Sequence, residues 1–298
     1  MAVKLAIANS KGGVGKPTCA MMISEGLALY NGWRVLAIDL DPQASLTSML
    51  LSSQGAYDAA DRHRTMADLL LALSARRALS LGSYLTPKAS DIIELRDATD
   101  RRRVDLVASN SELQASYWTL ARTIQVTNPN TRVDIVLANA LAIELDRLDR
   151  SYDIVIFDCP AGTLPLGTAA LRLSDYVISP TLLDEISLRA LAKFVSDVLN
   201  EDLEVLSNLK GFTVLPTKVV GNNPDQRLRL EHIRAGIYGL NALPKALGQS
   251  VDIERATTRL RANSFRSARQ KYDGALDDFK ELSVAVTNLI SKKKRGTS

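Results

Sequence analysis

The first 39 residues alternate a strand-like run, a glycine-rich loop, a helical run and a second strand-like run. Residues 2–9 are apolar and β-branched, and the glycine loop follows at residues 11–16, Lys-Gly-Gly-Val-Gly-Lys. Residues 18–30 place apolar side chains at helical spacing, and residues 34–39 form a short apolar strand. Two strands joined through a helix within this length form a right-handed βαβ unit, which requires a parallel sheet.

The same alternation continues along the chain. The pattern predicts further strands at residues 104–107, 154–158, 176–179 and 212–215, and helices at 46–51, 66–73 and 274–290. Residues 52–65 and 74–103 are polar and are predicted to be surface excursions. We therefore expect an α/β fold: a doubly wound, mostly parallel sheet with helices on both faces, forming a single domain over residues 1–298.

Composition and charge narrow the function classes. Apolar runs are too short to span a membrane, and two cysteines in 298 residues favour a reduced cytoplasm over a disulfide framework. Residues 1–200 hold 20 Lys and Arg against 22 Asp and Glu, whereas residues 201–298 hold 17 against 11. This basic C-terminal third, which ends in a flexible tail at about 292–298, fits either a polyanion partner or a solvated surface.

The glycine loop has the composition of a polyphosphate site. Glycines let backbone N–H groups approach the phosphates closely, and Lys16 and the start of the following helix supply positive charge. The spacing differs from the general G-x-x-x-x-G-K-[ST] pattern. Two acidic segments, residues 39–43 and 158–162, also follow predicted strands, so all three clusters should meet at one edge of the sheet.

Residues 8–16, Ala-Asn-Ser-Lys-Gly-Gly-Val-Gly-Lys, resemble the deviant Walker A loop of the ParA/MinD partition ATPases. The resemblance continues at residues 39–43, 65–70, 104–110, 152–160 and 243–245, and it is closer to ParA than to MinD. It implies a P-loop NTPase that binds ATP and Mg²⁺, hydrolyses ATP and forms an ATP-dependent homodimer. It also implies nonspecific binding to nucleoid DNA in the cytoplasm, a ParB-like or cargo-adaptor partner, and no membrane.

The resemblance further assigns roles to individual residues. Lys16 would bind the β- and γ-phosphates, and Lys11 would reach the nucleotide of the partner subunit. Asp41 would position the attacking water, and Asp39 and Asp158 would hold Mg²⁺ through its water shell. Catalysis is thus assigned to Lys11, Lys16 and Asp41, and nucleotide binding to Lys11, Gly12, Gly13, Val14, Gly15, Lys16, Pro17 and Thr18.

Pro17 departs from the family pattern, which has Ser or Thr directly after the lysine. Proline fits the first turn of a helix, but it has neither the hydroxyl that would ligate Mg²⁺ nor an N–H for a phosphate. The lost charge-assisted hydrogen bond is worth about 1.5–3 kcal/mol. Nucleotide binding is therefore expected to tolerate Pro17 better than hydrolysis does.

A basic window without acidic residues lies near the C-terminus. On one continuous helix most of its arginines would share a face, and such a cluster can neutralise phosphates without reading base sequence. The predicted DNA-binding residues are Arg255, Arg259, Arg261, Arg266, Arg269 and Lys271.

Two alternatives to a DNA-partition ATPase stay open at this point. Pro17 would suit a nucleotide switch that binds without useful turnover. The last helix and its basic tail would suit a MinD-like regulator at a membrane surface, although its apolar residues are more simply a core-facing stripe.

Overall fold

The computed structural model describes residues 1–98, 102–162, 164–200, 208–236, 239–258 and 264–291. Its strands all run parallel in a single six-stranded sheet of order β3-β2-β4-β1-β5-β6. The strands are β1 (Val3–Ile7), β2 (Arg34–Asp39), β3 (Arg103–Val107), β4 (Ile154–Asp158), β5 (Tyr176–Thr181) and β6 (Gly211–Pro216). Every predicted strand is present, and the doubly wound parallel fold is confirmed.

Helices cover both faces of this sheet. The order along the chain is α1 (Lys16–Asn31), α2 (Ser45–Asp61), α3 (Met66–Ser74), α4 (Ile93–Arg96), α5 (Leu113–Thr127), α6 (Val133–Arg147), α7 (Pro165–Leu173), α8 (Glu185–Asn200), α9 (Pro224–Arg234), α10 (Val251–Thr257), α11 (Ala268–Tyr272) and α12 (Leu276–Ser291). One core layer lies beneath α1, α2 and α12, and a second lies beneath α3, α5, α6 and α7.

Local chemistry explains why α1 begins and ends where it does. Gly15 caps its N-terminus at φ 89°, and Pro17 sits in the first turn, where a missing N–H costs little. Gly32 ends it at φ 68° and donates its N–H to the Leu27 carbonyl. The helix therefore starts directly from the glycine loop, with its positive end at that loop.

Two segments predicted to be surface excursions contribute to the core instead. Helix α2 continues past a break at Ser52 (φ 65°) to Asp61, and Ala59 is buried against the core. In the second segment, Ala89, Ile92 and Leu95 are buried in the same core layer. The few apolar residues within these polar stretches are enough to anchor the two segments to the core. The average composition of each segment does not reveal this.

Helix α12 carries the apolar stripe predicted for the last helix. Phe279, Leu282, Val286 and Ile290 are buried, and they face the core layer that includes α1. Within the described residues, none of the helices combines the length and the apolar character that crossing a bilayer requires.

Candidate nucleotide site

Three predicted clusters meet at the carboxyl edge of the sheet. In the parallel register, Asp158 at the end of β4 lies beside Ile7 of β1 and beside Asp39 of β2. The glycine loop leaves β1 at this edge, so it covers the two aspartates. Ligands of doubly wound folds bind in this position, outside the carboxyl ends of the strands.

The glycine loop is held in a fixed path that requires its glycines. Gly13 and Gly15 adopt φ 75° and φ 89°, a left-handed region that favours glycine. The Thr217 hydroxyl, from the end of β6, donates a 2.8 Å hydrogen bond to the Val14 carbonyl. The loop is therefore organised by contacts from a neighbouring strand as well as by its own sequence.

Lys16 points back into the glycine loop. Its Nζ donates hydrogen bonds to the carbonyl oxygens of Asn9 (3.1 Å) and Lys11 (2.9 Å), and the side chain is almost fully buried. Burial lowers the pKa of Lys16, while the neighbouring Asp158 opposes that shift. An ammonium held among loop carbonyls is available to an incoming anion, because a phosphate oxygen is a stronger acceptor than a neutral carbonyl.

Lys11 points away from this loop, toward the start of α8. Its Nζ donates to the Ser187 hydroxyl at 2.6 Å and lies 3.5 Å from the Asp184 carboxylate. Asp184 in turn accepts hydrogen bonds from the Ser187 backbone N–H and hydroxyl. Lys11 is thus engaged within its own chain, on the surface beside the nucleotide site.

Asp158 is a buried carboxylate whose two oxygens have no hydrogen-bond partner among the described residues. Burial raises the pKa of Asp158 well above its usual range, and the negative charges of Asp39 and Asp41 add to the shift. Lys16 partly offsets it. A buried carboxylate of this kind requires a proton or a cation, so the residue fits the predicted role toward Mg²⁺.

Asp39, in contrast, has both oxygens occupied. Its Oδ1 accepts from the Asp41 N–H, and its Oδ2 accepts from the Thr47 N–H (2.9 Å) and hydroxyl (2.7 Å). Burial raises the pKa of Asp39 to about 6 despite these bonds. Its carboxylate fixes the loop between β2 and α2, and the Ser109 hydroxyl secures the same loop by donating to the Asp41 carbonyl.

A cavity of about 460 Å³ opens above these groups. Its floor contains Lys16, Asp41 and most of the predicted nucleotide-binding residues, namely Gly12, Gly13, Gly15, Pro17 and Thr18. Lys11 and Val14 do not line it: Lys11 is turned toward α8 and Val14 is buried. Among the described residues, no cluster of three or more His, Cys, Asp or Glu side chains could hold a metal ion.

The far wall of the cavity was not predicted from the sequence. It is formed by Thr217 and Lys218 after β6, by the 247–250 segment, and by one side of α10 with Ile253, Glu254 and Thr257. The polar end of β6 was the available signal, since Thr217 and Lys218 follow a strand at the same edge as the other clusters. The wall has the position and size to complete a nucleotide site.

The predicted DNA-binding window does not form one helix. Helix α10 ends at Thr257, and α11 begins only at Ala268, so Arg255, Arg266 and Arg269 do not share one helical face. Arg255 forms ion pairs of 3.2 Å with Asp252 and Asp273. Arg266 and Arg269 are exposed. Arg259 and Arg261 lie outside the described residues.

The assignment of Lys271 to DNA binding is wrong in this fold. Its Nζ is completely buried, 2.9 Å from Glu25 Oε2 and 2.7 Å from Asp91 Oδ1. The Tyr272 hydroxyl donates to the same Glu25 carboxylate. Lys271 therefore fastens α11 to α1 and to the 89–93 segment, because a buried charge needs opposite charges around it. It has no access to a phosphate backbone.

Comparisons with known proteins support the fold. The sporulation initiation inhibitor protein Soj of Bacillus subtilis is 29% identical over 207 residues, which are 67% of this chain and 69% of Soj. Cobyrinic acid a,c-diamide synthase of Mycobacterium smegmatis, solved with an ATP analogue and magnesium, superposes with a TM-score of 0.70 at 22% identity and 98% and 97% coverage of the two chains. A putative plasmid partition protein of Borrelia burgdorferi bound to AMPPNP gives 0.66 at 19% identity, with 97% and 100% coverage.

The family assignment comes from the sequence itself. Residues 2–210, more than two thirds of the chain, match the AAA_31 model, described as an AAA domain. This range contains the glycine loop, both buried aspartates and the Lys11 contact. The chain therefore belongs to the AAA_31 family, the ParA/MinD-like group of P-loop NTPases.

Proposed function

We propose that this chain is a ParA-like ATPase that forms a dimer around ATP, holds DNA in that state without regard to sequence, and releases it on hydrolysis. The cargo would be a plasmid, a chromosome or another assembly, and a ParB-like or adaptor protein would stimulate hydrolysis. The Borrelia neighbour, a putative plasmid partition protein bound to an ATP analogue, supports this choice.

The observation that carries the proposal is the arrangement at the carboxyl edge. Lys16, the positive end of α1 and the glycine loop face a cavity of about 460 Å³, and an unpaired buried carboxylate lies beneath them. Phosphoryl transfer depends mainly on positioning and charge neutralisation. The site offers both, and Asp41 lines the cavity where a water could be positioned.

The residues fit Mg²⁺ in part. Asp158 supplies a buried carboxylate that would hold the ion through its water shell, whereas both Asp39 oxygens already accept hydrogen bonds and Pro17 supplies no hydroxyl. When bound, Mg²⁺ would neutralise phosphate charge during transfer. Lys16 would bind phosphate oxygens, and the loop N–H groups would orient them.

Dimerisation is proposed to require Lys11. In the described chain its Nζ is engaged by Ser187 and Asp184, and exchanging these contacts for a partner's nucleotide would link ATP to assembly. Light scattering with ATPγS should give a dimer for the wild type and for Lys280→Ala, a control at an exposed lysine on α12. Lys11→Ala should stay monomeric, and a Lys11→Ala dimer of wild-type affinity would contradict this role.

DNA binding is proposed to use Arg266 and Arg269, which are exposed and, in the described part of the chain, form no ion pair. A dimer would present four such charges, so log affinity should fall against log salt with a slope of about −3.6. Anisotropy on two unrelated duplexes should show equal weakening by R266E/R269E. The matched control R76E/R77E reverses two exposed arginines after α3. If the control weakens binding and R266E/R269E does not, the DNA surface lies elsewhere.

Pro17 favours a second candidate, a nucleotide switch without useful turnover. In that case the ATP dimer would form and bind DNA, but release would depend on nucleotide exchange. Steady-state phosphate release, measured with and without DNA, separates the two. A turnover number indistinguishable from the buffer blank, together with normal ATPγS-dependent dimerisation, would favour the switch.

A further inference from the structure

Lys218 is a second lysine at the nucleotide cavity, and neither the glycine-loop motif nor the acidic motifs account for it. It follows β6 and lines the cavity together with Lys16. Its Nζ lies 3.3 Å from the Gly13 carbonyl, directly over the glycine loop. The side chain is otherwise exposed, so its ammonium can leave this neutral acceptor at little cost.

The backbone at Lys218 is fixed in an unusual conformation. Its φ of 52° lies in the left-handed region, which is uncommon for a residue with a Cβ. Both neighbours hold it there: the Thr217 N–H donates to Thr181, the Thr217 hydroxyl donates to Val14, and the Val219 N–H donates to Leu247. Strain that is maintained by surrounding bonds is typical of ligand sites. Here it places an ammonium beside the loop that would bind phosphates.

Negative charge predominates around the Lys218 ammonium. Asp39, Asp41 and Asp158 are all close to the loop, and a nucleoside triphosphate would bring more negative charge. Pro17 supplies no hydroxyl to a metal, both Asp39 oxygens already accept hydrogen bonds from their own loop, and Lys11 is engaged at α8. Asp158 remains as a carboxylate for a metal, so the site offers a metal fewer ligands than the family pattern implies, while an extra cation lies beside the glycine loop.

We propose that Lys218 binds a phosphate of the nucleotide and takes over part of the charge neutralisation that Mg²⁺ would provide, so that the chain binds ATP with little dependence on Mg²⁺. The inference rests on the proposed nucleotide site. It adds Lys218 to the nucleotide-binding residues. It also predicts a weaker requirement for Mg²⁺ than the glycine-loop motif alone implies.

Calorimetry with ATPγS, in MgCl₂ and in EDTA, tests the proposal on the full chain. Wild-type affinity should change less than about threefold between the two buffers. Lys218→Met should lose about tenfold in EDTA, the size of one charge-assisted hydrogen bond, and less in Mg²⁺. Lys218→Arg should retain most of the affinity. Pro17→Thr should gain about tenfold in Mg²⁺ alone, since it restores a metal ligand.

The controls keep the outcome interpretable. Lys280→Met, the same change on α12, should match the wild type, and thermal melts should show that Lys218→Met folds. A wild-type loss of tenfold or more in EDTA would overturn the inference, as would an equal effect of Lys218→Met in both buffers or no effect in either. A wild type that binds no ATPγS in either buffer would overturn the proposed function as well. That result differs from a loss of affinity in EDTA alone, which would overturn only the inference about Lys218.

Discussion

The two ends of strand β4 hold the same residue type in opposite electrostatic states. Asp153, just before the strand, accepts hydrogen bonds from the Arg34 backbone N–H and guanidinium, and the pKa of Asp153 lies below its usual range because of them. Asp158, at the other end, is buried without a hydrogen-bond partner among the described residues, and its pKa is raised. Over five residues, the chain passes from a carboxylate that stabilises the folded state, Asp153, to one that destabilises it, Asp158.

This contrast extends to the two edges of the sheet. At the amino edge, Asp175 pairs with Lys210 at 2.7 Å, and Asp149 accepts from the backbone N–H of Ala2. At the carboxyl edge, burial raises the pKa of both Asp39 and Asp158. Paired charges at one edge stabilise the fold, whereas a carboxylate left uncompensated at the other requires a proton or a cation. Functional sites often carry such costs.

The largest expected effect is on ATP turnover, when a hydroxyl is restored at residue 17. Pro17→Thr should raise ATP turnover by roughly 10- to 100-fold, because it restores a metal ligand that acts mainly in the transition state. Phosphate release under saturating Mg-ATP measures it. Pro224→Thr, in the first turn of α9, is the matched control and should leave turnover unchanged. Equal rates for Pro17→Thr and the wild type would show that Pro17 does not limit hydrolysis.

Exchanging each aspartate of β4 for asparagine should move stability in opposite directions. Asp158→Asn removes a buried charge and should raise the free energy of unfolding at pH 7 by about 1–3 kcal/mol. Asp153→Asn should lower it by about 1 kcal/mol or less, because that pair is 39% exposed on the aspartate side and is screened by solvent. Urea denaturation measures both. If both variants are destabilised, Asp158 has a partner that compensates its charge.

A further effect should appear as a pH dependence of the free energy of unfolding, caused by Asp39. Its pKa is about 6 in the fold because of burial, while an unfolded aspartate titrates near about 4. Between these values the folded state holds a proton that the unfolded state has lost, so this contribution to stability falls as the pH rises from about 4 to about 6. Asp39→Asn loses a hydrogen-bond acceptor at every pH, but its deficit against the wild type should shrink across this window, by about 2 kcal/mol. A deficit that stays constant between pH 4 and pH 7 would contradict the raised pKa.

The sequence was sufficient for the strands, the parallel sheet and the glycine-loop side of the cavity. These features depend on local periodicity and on residues adjacent in the chain. Lys271 shows where this reasoning fails: a lysine among arginines gives no sign that Glu25 and Asp91, remote in the chain, will enclose it. The 247–257 wall was missed for the same reason. Its part in the site depends on packing between segments more than 200 residues apart, which no local pattern encodes.

The central claim is that the carboxyl edge of the sheet binds the nucleotide, and calorimetric titration with Mg-ATPγS tests it most directly. The wild type should bind one nucleotide per chain. Lys16→Met should weaken binding by about 100-fold or more, because it removes the buried ammonium that would bind the phosphate oxygens. Lys210→Met, which removes a lysine at the amino edge, should bind as the wild type does. Wild-type affinity in Lys16→Met, or a comparable loss in Lys210→Met, would contradict the account.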